Sequence, residues 1–152
     1  ALRRDLGLPG MLVLHFAFGD PSHNPYAPHN HEPVNVVYTG THDNNTSLGW
    51  FEEDASSQDI ANLSLYLGHE VTRHTAAREM VRMAMSSVAE TAVVPMQDHL
   101  ELGASCRINV PSTPGGNWTW RMESGQAGDR LAARLRALAE LYGRAPASKK
   151  HG

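Results

Sequence analysis

Three features that mark specialised classes of protein are scarce in this sequence of 152 residues. It has one cysteine, Cys106, which excludes an intramolecular disulfide framework and favours a reducing compartment. It has no run of about 18 apolar residues, so no membrane-spanning helix is predicted. Its formal net charge is −3, so the basic surface typical of a nucleic-acid-binding domain is not expected. We therefore expect a cytoplasmic protein without a nucleic-acid or membrane partner.

The sequence also lacks the short motifs that bind nucleotides or carry common hydrolase chemistry. Neither a Walker A loop nor a GxGxxG loop is present, and HExxH and GxSxG are absent as well. The single cysteine has no neighbouring residues typical of a catalytic nucleophile. No cofactor is therefore expected.

The sequence does contain an alternation of apolar runs and amphipathic segments. The apolar runs cover residues 11–18, 34–41 and 91–96. Because they are continuous rather than alternating, they predict strands that are buried on both faces of a parallel sheet. Helices are predicted over about 57–67, 74–87 and 129–142, and 2–6 resembles the end of another. A serine at 56 or 57 is expected to cap the first of them and Gly68 to end it.

This order of elements predicts an α/β fold with a parallel sheet. Three parallel strands leave two open edges, whereas a closed (β/α)8 TIM barrel needs roughly 250 residues. The chain is therefore expected to be either a small open α/β domain or the last three strands and helices of a barrel. Ala1 in place of an initiator Met and the helix end over 2–6 favour the partial barrel, over 1–144, with 145–152 as a flexible tail.

The strongest candidate site follows the second predicted strand, in the segment YTGTHDNNTSLG. Gly40 is expected to let the backbone turn, so that His42 and Asp43 project at the strand end, where α/β folds carry their sites. The carboxylate can accept hydrogen bonds from two hydroxyl groups, and Trp50 is placed to stack on a sugar ring. Small polar side chains follow the pair: Asn44, Asn45 and Thr46. The alternative is a turn in which these groups only cap the backbone.

A second polar segment, NPYAPHNHEP, contains residue types that bind metals. His29 and His31 lie two positions apart, which places both on one side of an extended chain. A metal hydrolase built on these two histidines with His42 and Asp43 is therefore one alternative. The others are a ligand-facing loop and a solvent-exposed loop.

A third segment places Asp98 after the third predicted strand, as Asp43 follows the second. Arg107 or Arg121 is a candidate anchor for either carboxylate. Asn117 offers an amide to a ligand. The tryptophans at 118 and 120 offer flat apolar faces. In the alternative interpretation, Asp98 pairs with an arginine as a structural bridge and the tryptophans are packed inside the protein.

Five segments in this order resemble one known family: GLPGMLVLHFAF, NPYAPHN, NVVYTGTHDNNTSLGWF, VVPMQDHLELG and RINVPSTPGGNWTWR. They span about residues 2–143 and resemble the carboxyl-terminal part of the 4-alpha-glucanotransferases, or amylomaltases, of glycoside hydrolase family 77. The resemblance implies a TIM barrel with inserted subdomains. It also implies retaining transfer of α-1,4-glucan segments between maltodextrin chains.

The resemblance also implies roles for individual residues. Asp43 matches the third carboxylate of the family's catalytic set, which holds the sugar at the cleavage site, and His42 matches a substrate-binding histidine. Further substrate contacts are expected from Asn44, Trp50 and Asn117. The family's nucleophilic aspartate and acid/base glutamate lie in segments that precede the matched part. Hence the chain alone is expected to be inactive. Neither Asp98 nor Glu101 matches them, and no metal is expected.

The sequence departs from the family pattern at four positions. Gln, Asp, Trp and Gly are common in the family where this chain has His15, Asn45, Phe51 and Ser112.

A non-catalytic function remains the second interpretation of the chain. A carbohydrate-binding or interaction fragment would use stacking faces from its aromatic residues: Tyr26, Trp50, Trp118 and Trp120. In either case the strands of an incomplete barrel leave an apolar edge, so the isolated chain is expected to self-associate.

Overall fold

A parallel three-stranded sheet organises the computed structural model, which describes residues 2–146. Its strands are β1 (Gly10–Val13), β2 (Asn35–Tyr38) and β3 (Thr91–Val93). The order across the sheet is β1-β2-β3, with Gly10 opposite Asn35 and Val36 opposite Thr91. Both pairings are parallel, which confirms the predicted α/β class.

The strands are shorter than the apolar runs that predicted them. β1 ends at Val13, and the chain continues as a 3-10 helix over Leu14–Phe16. Leu14 and Phe18 are fully buried, so apolarity over 11–18 reflects the packing of a turn as well as of a strand. The prediction that 91–96 is a buried strand is wrong, because Val93 is 42% exposed and, within the described residues, β3 pairs on one side only.

Six α-helices occur in the described part of the chain: α1 (Leu2–Asp5), α2 (Ser47–Gly49), α3 (Ser57–Leu67), α4 (Ala76–Ser86), α5 (Met96–His99) and α6 (Asp129–Leu141). A π-helix over Trp50–Asp54 continues α2. The predicted start and stop of α3 are confirmed. Ser56 and Asp59 form a reciprocal capping box, and Gly68 ends the helix with a left-handed φ of 77°.

The apolar core lies between the sheet and the helices that follow it. One face of α4 is buried, including Met80 and Ala84, as its 3.6-residue periodicity predicts. The same cluster contains Leu12 from β1, Val37 from β2 and Leu63 from α3. This packing fixes the strand ends from which the site loops leave the sheet.

The chain forms two compact units, Ala1–Arg121 and Met122–Gly152. The first contains the sheet and helices α1 to α5, and the second contains α6. Of the tail expected over 145–152, residues 147–152 lie outside the described residues. No helix within the described range is long and apolar enough to cross a membrane.

Gly40 leaves room for a neighbouring side chain that any other residue would clash with. Its φ is not left-handed, unlike that of Gly68, so its backbone conformation does not by itself require glycine. A Cβ atom on Gly40 would lie 2.6 Å from Cε1 and 2.8 Å from Nδ1 of His15. The His15 ring therefore sits directly against the backbone that leads into the His42–Asp43 loop.

We predict that Gly40→Ala lowers the free energy of unfolding by about 1–3 kcal/mol, because a buried ring has to move to admit the methyl group. Urea unfolding followed by circular dichroism measures this change. Gly115→Ala is the matched control, since a Cβ there would meet no atom within 4 Å, and it is expected to change stability by less than about 0.5 kcal/mol. Equal stability of the two variants would contradict the steric explanation.

Candidate functional site

The predicted His–Asp pair lies exposed at the carboxyl end of β2. The side chains of His42 and Asp43 are 54% and 53% exposed, and His42 Nε2 lies 3.4 Å from Asp43 Oδ2. The His42 ring packs against Trp118, with 5.2 Å between ring centroids. This arrangement leaves a carboxylate, an imidazole and an aromatic ring side by side at the surface.

Two residues of a distant loop hold Asp43 in place. Asn109 Nδ2 donates to Asp43 Oδ1 at 2.6 Å, and Arg107 Nη2 donates to the Asp43 carbonyl oxygen at 2.7 Å. Arg107 Nε also donates to the Asn109 carbonyl at 2.8 Å, which ties the two holding groups together. The prediction that Arg107 anchors a carboxylate is therefore wrong, because it anchors the backbone. Arg121 instead donates to the carbonyls of Trp118 and Trp120.

Asn109 is a site residue that sequence reasoning missed. It stands in RINVPSTPGGNWTWR, one of the segments that carry the family resemblance, yet it lies 66 positions from its partner. Nothing local in the sequence pairs the two. The only available signal was the presence of an amide in a segment already expected to lie at the site.

A shallow depression opens beside the pair. Its lining combines hydroxyl, amide, imidazole and guanidinium groups with two apolar side chains: Thr41, His42, Asn44, Asn45, Thr46, Pro95, Gln97, Arg107 and Ile108. Gln97 is buried, and its Nε2 donates to the Cys106 carbonyl at 3.2 Å, which holds one wall. Such a lining can exchange hydrogen bonds with a polyhydroxylated ligand.

Two predicted ligand contacts are engaged in holding loops. Asn44 Oδ1 accepts from both the backbone N–H and the hydroxyl of Thr41, at 2.9 and 2.8 Å. Asn117 Oδ1 accepts from the Val110 N–H at 2.8 Å, and its Nδ2 donates to Thr113 Oγ1 at 3.0 Å. The turn interpretation thus applies to Asn44 but not to the Asp43 carboxylate, whose oxygens lie against Asn109 and the His42 ring.

The structure gives two of the tryptophans different environments. Trp50 is only 6% exposed and stacks on His15 at 5.4 Å between ring centroids, so its predicted role as a sugar platform is wrong. Trp118 is 58% exposed and has a left-handed φ of 61°, which is uncommon for a bulky residue. The exposed aromatic face at the site therefore belongs to Trp118.

Beneath the loop, the Asp98 carboxylate is buried in a network of hydroxyl groups. Asp98 Oδ1 accepts from the Ser47 N–H at 2.7 Å, and Oδ2 accepts from Ser47 Oγ at 2.8 Å and from Thr39 Oγ1 at 2.5 Å. Asp98 is 1% exposed, and this burial raises its pKa while the three hydrogen bonds oppose the rise. The predicted arginine partner is wrong, because hydroxyl and backbone donors satisfy the carboxylate.

His15 extends this network as a neutral imidazole. Its Nε2 lies 3.1 Å from Ser47 Oγ, and burial lowers the pKa of His15 to about 3. Since the Ser47 hydroxyl proton goes to Asp98, Nε2–H is the donor to Ser47. The other ring nitrogen, Nδ1, is buried without a hydrogen-bond partner.

The two histidines of the metal alternative hold a loop instead. His31 Nδ1 lies 2.6 Å from Ser87 Oγ and its Nε2 lies 2.9 Å from the Tyr26 carbonyl. Burial lowers the pKa of His31. His29 Nδ1 lies 3.1 Å from Tyr66 Oη. No group of three or more potential metal ligands occurs within the described range.

The geometry defines a class: a parallel α/β protein with an exposed His–Asp pair in a loop at a strand's carboxyl end. A family model described as 4-alpha-glucanotransferase, that of glycoside hydrolase family 77, matches residues 1–127. The chain belongs to this family, as its ordered segments predict.

Individual relatives agree with the family assignment. The chain is 48% identical over 145 residues to a 4-alpha-glucanotransferase of Synechocystis sp., covering 95% of this chain and 28% of that protein. It is 45% identical over 146 residues to a 4-alpha-glucanotransferase of Thermus thermophilus, covering 92% of this chain and 29% of that protein. It therefore spans less than a third of the length of these relatives.

A solved structure agrees with the fold. The amylomaltase from Streptococcus agalactiae in complex with acarbose is similar with a TM-score of 0.87 and 32% identity, over 95% of this chain and 29% of that chain. The α/β arrangement of this segment is therefore also found within a larger enzyme.

Burial of His15 predicts how stability depends on pH. The unfolded chain binds a proton near pH 6.5 and the folded chain near pH 3, so the contribution of neutral His15 is complete above pH 6.5 and is lost as pH falls through that window. The loss approaches about 1.4 kcal/mol per pH unit. We predict a shallower decline for His15→Gln, which does not titrate. Urea unfolding between about pH 4 and pH 7 measures both slopes.

The comparison isolates His15 because Asp98 is present in both proteins. Because the pKa of Asp98 is raised, the folded chain takes up a proton there at a higher pH than the unfolded chain, so its contribution has the opposite sign. Identical slopes for the two proteins would show that His15 does not titrate as its burial requires.

Proposed function

We propose that this chain is part of a 4-alpha-glucanotransferase that transfers α-1,4-glucan segments between maltodextrin chains with retention of configuration. One observation carries the proposal in a chain of this family: an exposed Asp43 carboxylate stands at a strand's carboxyl end, held by Asn109. The substrate is an α-1,4-glucan or maltooligosaccharide. Acarbose bound to the similar Streptococcus agalactiae amylomaltase supports a saccharide ligand.

The sheet is proposed to be the last three strands of a (β/α)8 barrel. Its strands are parallel, helices follow them, and the candidate site lies at their carboxyl ends, as in TIM barrels. The proposed barrel segment covers 1–144, followed by a tail over 145–152. The remaining strands belong to the part of the relatives that this chain does not match.

Asp43 is the proposed catalytic residue of this segment. Its carboxylate accepts hydrogen bonds from two ring hydroxyls of the sugar at the cleavage site. These bonds strengthen as the ring distorts towards an oxocarbenium-like transition state, which lowers the barrier. Asn109 and Arg107 fix the carboxylate and its backbone, so no reorganisation is required during the reaction. The nucleophile and the acid/base come from outside this chain.

Neighbouring groups provide substrate binding in this proposal. His42 exchanges a hydrogen bond with a sugar hydroxyl, and Trp118 offers its exposed ring face. Asn44 and Asn117 contribute chiefly by shaping the loops, since their side-chain oxygens already accept hydrogen bonds there. Trp50 supports the loop from the core.

We predict that Asp43→Asn lowers glucan transfer at least about 100-fold, because the variant keeps the shape but loses the charge that stabilises the transition state. The assay uses a full-length hybrid in which residues 1–152 replace the matching segment of the Synechocystis enzyme. Glucose release from maltotriose measures transfer.

Asp54→Asn is the matched control, since Asp54 is exposed at the end of the π-helix and does not line the depression. It is expected to retain transfer. Near-normal glucose release by Asp43→Asn, or no release by a folded hybrid, would overturn the proposal.

We predict that the isolated 152-residue chain self-associates through its sheet edges. Met11 on β1 is 60% exposed, and β1 and β3 each pair on one side only within the described residues. Such edges pair readily with other strands. Sedimentation analysis is expected to give an average mass of about twice the 16.6 kDa of one chain.

Charge at the edges is the specific test of this association. Met11→Lys combined with Val93→Lys is expected to restore the monomer, whereas Leu65→Lys, on the exposed side of α3, is not. A monomeric unmodified chain at high concentration would argue against open barrel edges.

A further inference from the structure

The loop that carries His42 and Asp43 begins and ends on hydrogen bonds to one carboxylate. Thr39 directly follows β2, at the start of the loop, and Ser47 is the first residue of α2 after the loop. Both donate to Asp98, through Thr39 Oγ1, Ser47 Oγ and the Ser47 N–H. A single buried group therefore joins the two ends of this loop.

Asp98 comes from a different strand connection. It lies on α5, which follows β3, whereas the loop follows β2. Thr39, Ser47 and Asp98 are each almost completely buried, so water does not compete for these hydrogen bonds. The hydrogen bonds to Asp98 thus join the two ends of the loop and also fix the loop relative to β3, the neighbouring strand.

Hydrogen bonds within the loop are local. Thr41 bonds to Asn44, and the Thr46 hydroxyl accepts from the Gly49 N–H at 3.0 Å. These contacts shape the interior of the loop but do not determine where its ends stand relative to the sheet. Asp98 supplies three of the hydrogen bonds that set this placement. His15 adds two, from its backbone N–H to the Thr39 carbonyl at 3.2 Å and between its Nε2 and Ser47 Oγ at 3.1 Å. Arg107 and Asn109 hold Asp43 from the other side.

We propose that Asp98 is a positioning residue for glucan transfer, acting through Thr39 and Ser47 to place His42 and Asp43 against the substrate. The inference rests on the proposed function of Asp43. Asp98 does not touch the substrate, since its two oxygens are already engaged by three protein donors beneath the loop.

A carboxylate suits this position better than an amide. Its two oxygens accept all three donors, whereas an asparagine has one acceptor oxygen and would turn its N–H groups towards at least one donor. Asp98→Asn therefore leaves a buried mismatch. Removal of the Thr39 hydroxyl is milder, because the remaining two donors from Ser47 stay in place.

The test uses Thr39→Val and Thr39→Ser in the full-length hybrid. Valine keeps the shape of Thr39 and loses the donor, whereas serine keeps the donor and loses a methyl group. Thr39→Val is expected to lower kcat by roughly 10- to 100-fold with KM changed by less than about twofold, because a misplaced carboxylate weakens the transition state more than the ground state. Thr39→Ser is expected to retain kcat, although its lost methyl group lowers stability.

A second measurement separates positioning from general destabilisation. In an Asp43→Asn background, assayed with an activated glycosyl fluoride donor, Thr39→Val is expected to cause little further loss of kcat, since the carboxylate that it positions is absent. Asp98→Asn is expected to show the same non-additivity with Asp43→Asn. Thermal unfolding of each variant reports the structural contribution independently.

The outcomes distinguish this inference from the proposed function. If Asp43→Asn lowers transfer but Thr39→Val and Asp98→Asn leave kcat unchanged, or lower it equally in both backgrounds, Asp98 has no positioning role. If Thr39→Ser loses as much kcat as Thr39→Val, packing and not the hydrogen bond is responsible. If Asp43→Asn itself has no effect, the proposed function fails first.

Discussion

Burial of the Asp98 carboxylate is a constraint on the whole site loop. Removing a carboxylate from water is unfavourable unless donors replace the lost hydration. Here the donors come from Thr39 and Ser47, at opposite ends of one loop. Any loop conformation that separates these two residues leaves a buried carboxylate unsatisfied. The native loop conformation is therefore favoured by Asp98, which lies beneath the loop and out of reach of a ligand in the surface depression.

The features that were predictable from the sequence are those that depend on near neighbours. The capping box at Ser56, the stop at Gly68 and the exposed pair after β2 follow from residues a few positions apart. Asn109 and Asp98 lie 66 and 51 positions from the groups that they hold, and no local pattern encodes such pairings. Strand lengths were overestimated because burial extends into the turn after β1.

Residue type alone did not distinguish a ligand contact from a structural support. Trp50 and Trp118 have the same side chain, yet one is in the core and the other at the surface. The histidines divide in the same way: His15 is buried and its pKa is lowered, whereas His42 is exposed beside Asp43. Tertiary packing makes this division, so the sequence supplied the candidates and the fold assigned their roles.

Because the backbone at Trp118 is left-handed, the residue that would be most stable there differs from the residue that the site uses. A bulky side chain at a φ of 61° stores roughly 1–2 kcal/mol of strain that glycine would relieve. Glycine would also remove the ring that packs on His42. Selection for thermostability alone would therefore drive this loop towards glycine and erase the aromatic surface. At Trp118, stability of the loop is therefore exchanged for an aromatic surface that can contact a ligand.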